Sequence, residues 1–248
     1  MPPSDLDDPA RINELRALVA KKPALRKLYD ETYAKYAACL RRCPAQGIAL
    51  ELGSGASFAK DRIPELVTSD VIAYAGVDRV VDATALPFPD ASLRAVFMSN
   101  VFHHIPDVAA FLREAERCLL PGGRVFIADQ HVGPISAPIL RYAHHEPFDP
   151  RAKRWSFAST GPLSGANGAL AWMVFERDRS SFESQFPKLR LERYSPHTPL
   201  RYWLSGGLKR WSLLPDRAFE SATRLDDLLV RVWPALGSFV DIELVRDG

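Results

Sequence analysis

Short stretches rich in apolar residues recur along the first half of the chain, and several contain an acid at or near their last position. Their length and β-branched content are typical of strands that are buried within a parallel sheet. Two further strand-like stretches occur near the end of the chain. The predicted strands are 48–52, 66–70, 78–82, 95–99, 124–129, 189–194 and 239–245.

Apolar residues at helical spacing occupy the intervals between several of these strands. The predicted helices are 8–40, divided at Pro23, then 56–63, 106–119 and 171–185. Only 11 residues separate Asp70 from Asp82, so that connection is predicted to be a loop, because a helical crossover needs about a dozen residues or more. This order of elements predicts an α/β fold with a doubly wound, mainly parallel sheet.

The segment 48–58, Ile-Ala-Leu-Glu-Leu-Gly-Ser-Gly-Ala-Ser-Phe, joins the first strand to a sharp turn. Gly53 and Gly55 permit backbone torsions and close approaches that a Cβ would forbid. Glu51 places a carboxylate at the carboxyl end of the strand, where open α/β sheets bind ligands. Taken alone, the glycine pair fits a ligand-binding turn and a plain turn equally well.

Two acids compete for the position that binds ribose hydroxyls in nucleotide-binding βαβ units. Asp70 follows Glu51 by 19 residues, and Asp78 follows it by 27. Since the interval in such units is about 20 residues, Asp70 is the better candidate. A dinucleotide dehydrogenase is disfavoured, because the third glycine of the Gly-x-Gly-x-x-Gly pattern would fall at Phe58.

Composition narrows the class of protein without identifying a function. The 248 residues carry a formal net charge of +2, with 47% hydrophobic and 25% charged residues, which is ordinary for a soluble protein. This charge gives no reason to expect nucleic-acid binding. We find no signal-peptide pattern and no stretch with the ~18 apolar residues of a membrane span. The three cysteines fit neither a disulfide framework nor a zinc pattern, so a cytoplasmic location and no metal site are expected.

Four motifs occur in order: Glu51-Leu-Gly-Ser-Gly55, Asp82-Ala-Thr-Ala-Leu-Pro-Phe88, Asn100-Val-Phe-His-His104 and Leu120-Pro-Gly-Gly-Arg124. With them, roughly residues 45–130 resemble the class I S-adenosylmethionine-dependent methyltransferases, in particular the branch labelled type 11. The resemblance implies a Rossmann-like sheet of seven strands whose last strand inserts antiparallel. It also implies that the protein is an enzyme that uses S-adenosylmethionine and releases S-adenosylhomocysteine.

A single domain with three parts is expected. The parts are an N-terminal helical cap at 1–45, an S-adenosylmethionine-binding core at 46–130, and an acceptor-side region at 131–248 that carries a helical and irregular lid at about 196–237.

The resemblance assigns roles to residues at the carboxyl ends of the strands. The glycine turn would pack against the methionine part of the cofactor, and Glu51 would hold its ammonium group. Asp70 would accept hydrogen bonds from both ribose hydroxyls, Asp82 would accept one from the adenine amino group, and Asn100 would lie beneath the sulfonium. The expected cofactor-binding residues are Glu51, Gly53, Ser54, Gly55, Asp70, Val71, Asp82, Ala83, Thr84 and Asn100.

His104 and His145 are the candidate catalytic residues. His104 follows the fourth strand beside the expected methyl group, where it could act as a general base or, with His103, only shape the turn. His145 lies with His144 and Glu146 in the expected acceptor region, and a packing role is the alternative. Neighbouring side chains diverge, so we do not expect His144 and His145 to chelate a metal together.

The acceptor is less well defined than the cofactor. Residues 142–150, 161–169 and 175–178 resemble a bacterial subgroup often found with polysaccharide-assembly genes, an association that does not identify a substrate. The expected acceptor is a small molecule or a glycan-linked group, methylated at oxygen. The loop 161–168 could close over the acceptor or be a plain turn. Segment 200–233 interleaves tryptophan, leucine and basic residues; this favours a lid and leaves a peripheral membrane contact or a dimer face open.

Two other functions remain open from the sequence. One is a non-catalytic S-adenosylmethionine-binding partner subunit. The other is an S-adenosylmethionine-dependent enzyme of another reaction type, since one fold hosts many chemistries.

Overall fold

The computed structural model describes residues 11–159, 161 and 165–248, so part of the predicted helical cap and part of the 161–168 loop lie outside it. Its helices are α1 (Arg11–Ala20), α2 (Pro23–Leu40), α3 (Val108–Cys118), α4 (Ser136–Tyr142), α5 (Leu170–Trp172), α6 (Arg179–Gln185), α7 (Arg201–Ser205) and α8 (Phe219–Val232). Its strands are β1 (Ile48–Glu51), β2 (Val67–Asp70), β3 (Arg79–Val80), β4 (Leu93–Ser99), β5 (Leu119–Gln130), β6 (Leu189–His197) and β7 (Phe239–Arg246).

The described strands form one seven-stranded sheet in the order β3-β2-β1-β4-β5-β7-β6. Strands β1 to β5 pair in parallel, whereas β7 runs antiparallel to β5 on one side and to β6 on the other. The predicted α/β fold, with a doubly wound sheet and an antiparallel last strand, is therefore confirmed. The strand order reverses between β1 and β4, and a crevice opens at such a reversal.

Helices cover both faces of the sheet, which explains why its strands are apolar. On one face, Tyr36 of α2 stacks on Phe97 of β4 with ring centroids 4.6 Å apart, and it meets Phe126 of β5 at 5.5 Å. On the other face, α3 buries Phe111 in the larger apolar core. Helix α3 begins at Asp107, whose carboxylate accepts a backbone N–H bond from the first turn.

The prediction of a helix at 56–63 is wrong. Only the short 3-10 turn Ala59–Asp61 forms there. The Ser57 hydroxyl donates to the Glu51 carboxylate at 3.1 Å and accepts from the Ala59 N–H at 3.0 Å. Serine hydroxyls compete in this way with helical hydrogen bonds, so the chain after β1 is arranged around Glu51.

Two other predicted connections have the expected character. The link between β2 and β3 is a loop, in which Asp78 accepts hydrogen bonds from the backbone and hydroxyl of Thr68. The helix predicted at 171–185 forms in pieces, because a π-helical turn at Met173–Arg177 joins α5 to α6.

Arg201 joins two helices of the predicted lid to each other through a buried ion pair, and it also contacts α2. Arg201 of α7 donates through Nε to Asp226 of α8 at 3.0 Å, and the two residues are only 5% and 1% exposed. Arg201 also donates through Nη1 to Glu31 of α2 at 2.9 Å. The segment 196–237 is therefore tied to α2 as well as to the sheet.

Some apolar residues of this segment face solvent, among them Leu228 and Val232 of α8, which are 56% and 77% exposed. None of the described helices has both the length and the apolar character that a bilayer crossing requires. The peripheral membrane contact and the dimer face, which the sequence leaves open beside the favoured lid, are not tested by this finding.

We expect Asp226→Ala to lower the free energy of unfolding by about 3–5 kcal/mol, because it leaves the Arg201 guanidinium buried without its main partner. Urea denaturation followed by circular dichroism measures this loss. The matched control is Asp227→Ala, since Asp227 is exposed on the same helix. Equal stability of the two variants would show that the ion pair contributes little.

Candidate functional site

A cavity of about 490 Å³ opens at the carboxyl ends of β1, β2 and β4. We name it the glycine-turn cavity, because the turn that follows β1 forms one wall. Its volume is in the usual range for a small-molecule site. The lining includes Glu51, Gly53, Ser54, Gly55, Asp70, Val71, Asp82, Ala83 and Asn100.

Gly53 and Gly55 give the turn a shape that other residues could not adopt without strain. Their φ angles are +62° and +42°. A Cβ on Gly53 would lie 2.4 Å from Cγ2 of Val101, which is far inside van der Waals contact. The Gly55 N–H donates to Oδ2 of Asp70 at 3.0 Å, so the turn is held against the end of β2.

Glu51 is a buried carboxylate with one oxygen unused. Its Oε1 accepts from Ser57, whereas Oε2 has no hydrogen-bond partner among the described residues. Burial, with the nearby Asp70 carboxylate adding to it, raises the pKa of Glu51 to about 8. A cation that entered the cavity would find an acceptor already in place.

Asp70 and Asp78, the two acids that compete from the sequence, occupy different surroundings. Asp70 is 6% exposed and lines the cavity, and its Oδ1 accepts from the Ile72 N–H at 3.1 Å. Burial raises the pKa of Asp70, whereas the hydrogen bonds from the backbone N–H groups of Ile72 and Gly55 act to lower it. Asp78 instead binds Lys60 and Thr68 outside the lining that the structure describes.

Asp82 reaches the same cavity from the loop after β3. Its Oδ1 accepts from the backbone N–H and the hydroxyl of Thr84 at 2.8 and 2.7 Å. Ala83 lines the cavity beside it, whereas Thr84 is outside the described lining. Nine of the ten expected cofactor-binding residues thus meet at one cavity. Their roles stay predictions.

Sequence reasoning missed the side chains that α1 and α2 contribute to this cavity. The sequence predicts these helices only as an N-terminal cap at 1–45 and assigns none of their residues to the site. Their apolar periodicity was visible, but it did not show which end of the sheet the helices would reach. The residues concerned are Ile12, Leu15, Val19, Tyr29 and Tyr33.

A second cavity, of about 590 Å³, adjoins the first, and we name it the histidine cavity. His103, His144, His145 and Glu146 line it. Residues that line both cavities are Leu15, Tyr29, Tyr74, Asn100, His104 and Leu208. His104 lies at the boundary between the two cavities, and His145 lies farther out with its side chain 63% exposed. Their catalytic roles stay predictions.

The 3-10 turn Phe102–His104 directs two histidines into this region. Phe102 anchors the turn, because it is fully buried with its ring centroid 5.4 Å from that of Phe175. His103 Nδ1 then lies 2.6 Å from Oδ1 of Asp129 at the end of β5. His104 Nδ1 lies 3.1 Å from the Gly165 carbonyl oxygen.

Glu146 faces both imidazoles. Burial opposes the charged form of His103, yet the Asp129 and Glu146 carboxylates prevail and raise the pKa of His103 to about 10. Burial alone would raise the pKa of Glu146, but His103 and His104 hold it well below its usual range. The sequence did not predict this cluster. The sequence feature that could have indicated it is Asp129 near the end of β5, together with the adjacent pair His103 and His104 after β4.

The matched family model is a methyltransferase domain, and it covers residues 33–127. The chain is 46% identical to 27-O-demethylrifamycin SV methyltransferase of Amycolatopsis mediterranei over 56 residues. This stretch covers 21% of this chain and 21% of the relative. The chain is 38% identical to 2-phytyl-1,4-naphtoquinone methyltransferase of Synechococcus elongatus over 85 residues. This stretch covers 34% of this chain and 34% of the relative. The chain thus spans about a fifth to a third of the length of these curated relatives.

A solved structure shares the fold. Geranyl diphosphate C-methyltransferase from Streptomyces coelicolor A3(2), solved with Mg²⁺, geranyl diphosphate and S-adenosyl-L-homocysteine, gives a TM-score of 0.52 at 14% identity, covering 98% of this chain and 87% of that one. Residues 33–127 match a methyltransferase domain, and the chain shares its fold with a methyltransferase that was solved with S-adenosyl-L-homocysteine.

The glycine-turn cavity of this methyltransferase domain has the chemistry that S-adenosylmethionine requires. The cofactor carries an ammonium group, a sulfonium and two ribose hydroxyls. Glu51 Oε2 is a buried acceptor without a partner among the described residues, and Asp70 supplies a second carboxylate. Gly53 lines the cavity in a turn that packs directly against Val101, where a Cβ would clash. The residues present therefore fit the cofactor.

We expect Glu51→Gln to stabilise the ligand-free methyltransferase domain as pH rises. A carboxyl group whose pKa is about 8 in the folded protein and about 4.3 when unfolded lowers stability progressively between these pH values, because the folded form retains its proton. The gain at pH 8 should be on the order of a few kcal/mol. At pH 4 the variant and the wild type should differ little.

Thermal unfolding at both pH values measures this difference. Glu65→Gln is the matched control, since Glu65 is an exposed glutamate paired with Arg94 at 3.3 Å. A gain that does not depend on pH would contradict the raised pKa.

Proposed function

We propose that the chain transfers a methyl group from S-adenosylmethionine to a hydroxyl oxygen of a small-molecule or glycan-linked acceptor. The observation that carries the proposal is the meeting of two cavities at Asn100 and His104. One cavity has carboxylates suited to the cationic cofactor, and the other is lined by histidines and Glu146. S-adenosylmethionine supplies an electrophilic methyl group on sulfur, which an acceptor oxygen can attack in line.

On the cofactor side, Glu51 binds the ammonium group and Asp70 binds the ribose hydroxyls. Asp70 is suited to this because backbone N–H donors at Gly55 and Ile72 fix its carboxylate in place. Hydrogen bonds to an ionised carboxylate are roughly twice as strong as those between neutral groups. Asp82 accepts from the adenine amino group, beside Ala83.

Asn100 is placed to lie beneath the sulfonium. It follows β4 directly and has a φ angle of +54°, a conformation that asparagine tolerates better than most residues. Its N–H donates to the Ala128 carbonyl at 2.8 Å, which attaches it to β5. The methyl group would then point from the glycine-turn cavity toward the histidine cavity.

On the acceptor side, His104 and His145 are the proposed proton acceptors. The Gly165 carbonyl binds Nδ1 of His104, so its Nε2 is the nitrogen that can accept a proton. A positioned base accelerates a reaction about 10²–10⁴-fold. Correct orientation of the two reactants can lower the activation barrier by about 7–11 kcal/mol, which corresponds to a larger acceleration. Orientation is therefore the larger effect, and the walls of the two cavities provide it.

Polar groups in the histidine cavity favour an acceptor rich in hydroxyls. His144, His145, Glu146 and Gln130 all line it, and hydroxyls can donate to and accept from such side chains. Trp203 lines the same cavity, and an aromatic ring suits the apolar face of a sugar or of another ring system.

Calorimetric titration with S-adenosylmethionine and S-adenosylhomocysteine tests the cofactor assignment. We expect both to bind, and an absence of binding at millimolar concentration would overturn the proposal. Acceptor extracts incubated with protein and S-adenosylmethionine test catalysis through the release of S-adenosylhomocysteine. Binding without turnover on any extract would favour a non-catalytic partner subunit, and a product without a transferred methyl group would indicate another reaction type.

Asp70→Ala should weaken S-adenosylhomocysteine binding by at least about tenfold, because it removes two charge-assisted hydrogen bonds. Asp78→Ala is the matched control and should weaken binding much less, since Asp78 bonds to Lys60 and Thr68 instead of facing the cavity. Both affinities come from the same titration. The opposite order would assign the ribose to Asp78.

A further inference from the structure

Two imidazoles converge on one carboxylate where the two cavities meet. Nε2 of His103 lies 3.3 Å from Oε2 of Glu146, and Nε2 of His104 lies 3.4 Å from Oε1. His103, His104 and Glu146 can each offer one ligand atom, and these three atoms lie within 4.8 Å of one another. Around a tetrahedral ion with bonds of about 2.0–2.2 Å, ligand atoms stand about 3.3–3.6 Å apart. The spacing of the three side chains is therefore that of a metal site.

Hydrogen bonds behind the imidazoles set their tautomers for metal binding. Asp129 accepts from Nδ1 of His103 at 2.6 Å, and the Gly165 carbonyl accepts from Nδ1 of His104 at 3.1 Å. With Nδ1 occupied in each ring, Nε2 is the nitrogen that faces Glu146, and a metal ion would take the place of any proton on it. Carboxylate and carbonyl partners behind histidine ligands are usual in metal proteins.

The buried nitrogen of His103 gives a second, independent indication of a ligand. Its Nε2 lies 3.3 Å from Oε2 of Glu146 without a properly directed hydrogen bond to any described residue, although the side chain is only 1% exposed. Native structures rarely leave a buried polar atom without a partner. A cation between His103, His104 and Glu146 would satisfy this atom.

We propose that His103, His104 and Glu146 bind one divalent transition-metal ion. Two imidazoles and one carboxylate suit ions such as Zn²⁺, Co²⁺ or Fe²⁺, whereas Mg²⁺ and Ca²⁺ prefer a shell of oxygens. Three protein ligands leave at least one coordination position open, as in catalytic metal sites. The site departs from the sequence-based expectation that the protein has no metal ligands.

The role of the ion, though not its binding, rests on the proposed function. The ion would bind a hydroxyl oxygen of the acceptor and lower the pKa of that hydroxyl. The O–H proton passes to His145 or to water. The oxygen electron pair forms the new C–O bond while the carbon–sulfur bond of S-adenosylmethionine breaks. His104 then acts as a ligand, and the proton acceptor is His145.

Metal titration of the full chain tests the site. Protein stripped with a chelator is titrated with Zn²⁺ by calorimetry and with Co²⁺ by visible absorption, and we expect one ion per chain. Glu146→Gln and His104→Asn should each weaken binding by roughly 100-fold or more, as loss of a ligand exceeds the 10–100-fold effect of a supporting residue. His145→Ala is the matched control and should bind Zn²⁺ within about twofold of wild type, because this imidazole lies 3.8 Å from Glu146 and is largely exposed.

Circular dichroism and S-adenosylhomocysteine affinity show whether each variant is folded. If Glu146→Gln does not fold, His104→Asn decides alone. The proposal is overturned if neither Zn²⁺ nor Co²⁺ binds at millimolar concentration, or if binding survives both substitutions. Metal binding without S-adenosylhomocysteine binding would overturn the proposed function and support the metal site. The reverse result would overturn the metal site alone.

Discussion

The reversal of strand order between β1 and β4 is the constraint on which the site depends. Strand β1 pairs with β2 on one side and with β4 on the other, all in parallel. Their carboxyl ends therefore meet at one edge, and the connections that leave them diverge and open a crevice. Glu51, Asp70 and Asn100 stand at or just after the three ends. A different strand order would separate these side chains, however well the local sequence was kept.

The stability of the sheet permits unfavourable features at that edge. Glu51 is buried with an oxygen that no described residue satisfies, and Asn100 adopts a positive φ angle. Such features cost on the order of 1–3 kcal/mol each and persist only where the surroundings enforce them. Tyr36, Phe97 and Phe126 provide part of that enforcement, because they fix α2 across β4 and β5. Of these two features, the free oxygen of Glu51 is the one that a bound cation could satisfy.

The sequence predicted the sheet and most of the cavity because both follow from local signals. Short apolar strands, the Gly53–Gly55 turn and acids at strand ends depend on neighbouring residues. The helix at 56–63 failed because Ser57 bonds to Glu51 instead of supporting a helical turn. The cluster of His103, Asp129 and Glu146 could not be found in this way, since its members come from the turn after β4, from β5 and from the loop after α4. Only the three-dimensional path of the chain brings them together.

Access to both cavities is controlled by elements that are joined to each other. Leu15 of α1 and Leu208, in the loop after α7, line both cavities. Lys22, between α1 and α2, is 7% exposed and donates through Nζ to the carbonyls of Gly207, Lys209 and Trp211 at 2.6, 2.9 and 3.0 Å. One buried ammonium thus couples the N-terminal helices to the loop after α7. Because Leu15 and Leu208 belong to the two segments that Lys22 joins, the walls shared by the two cavities form one connected unit.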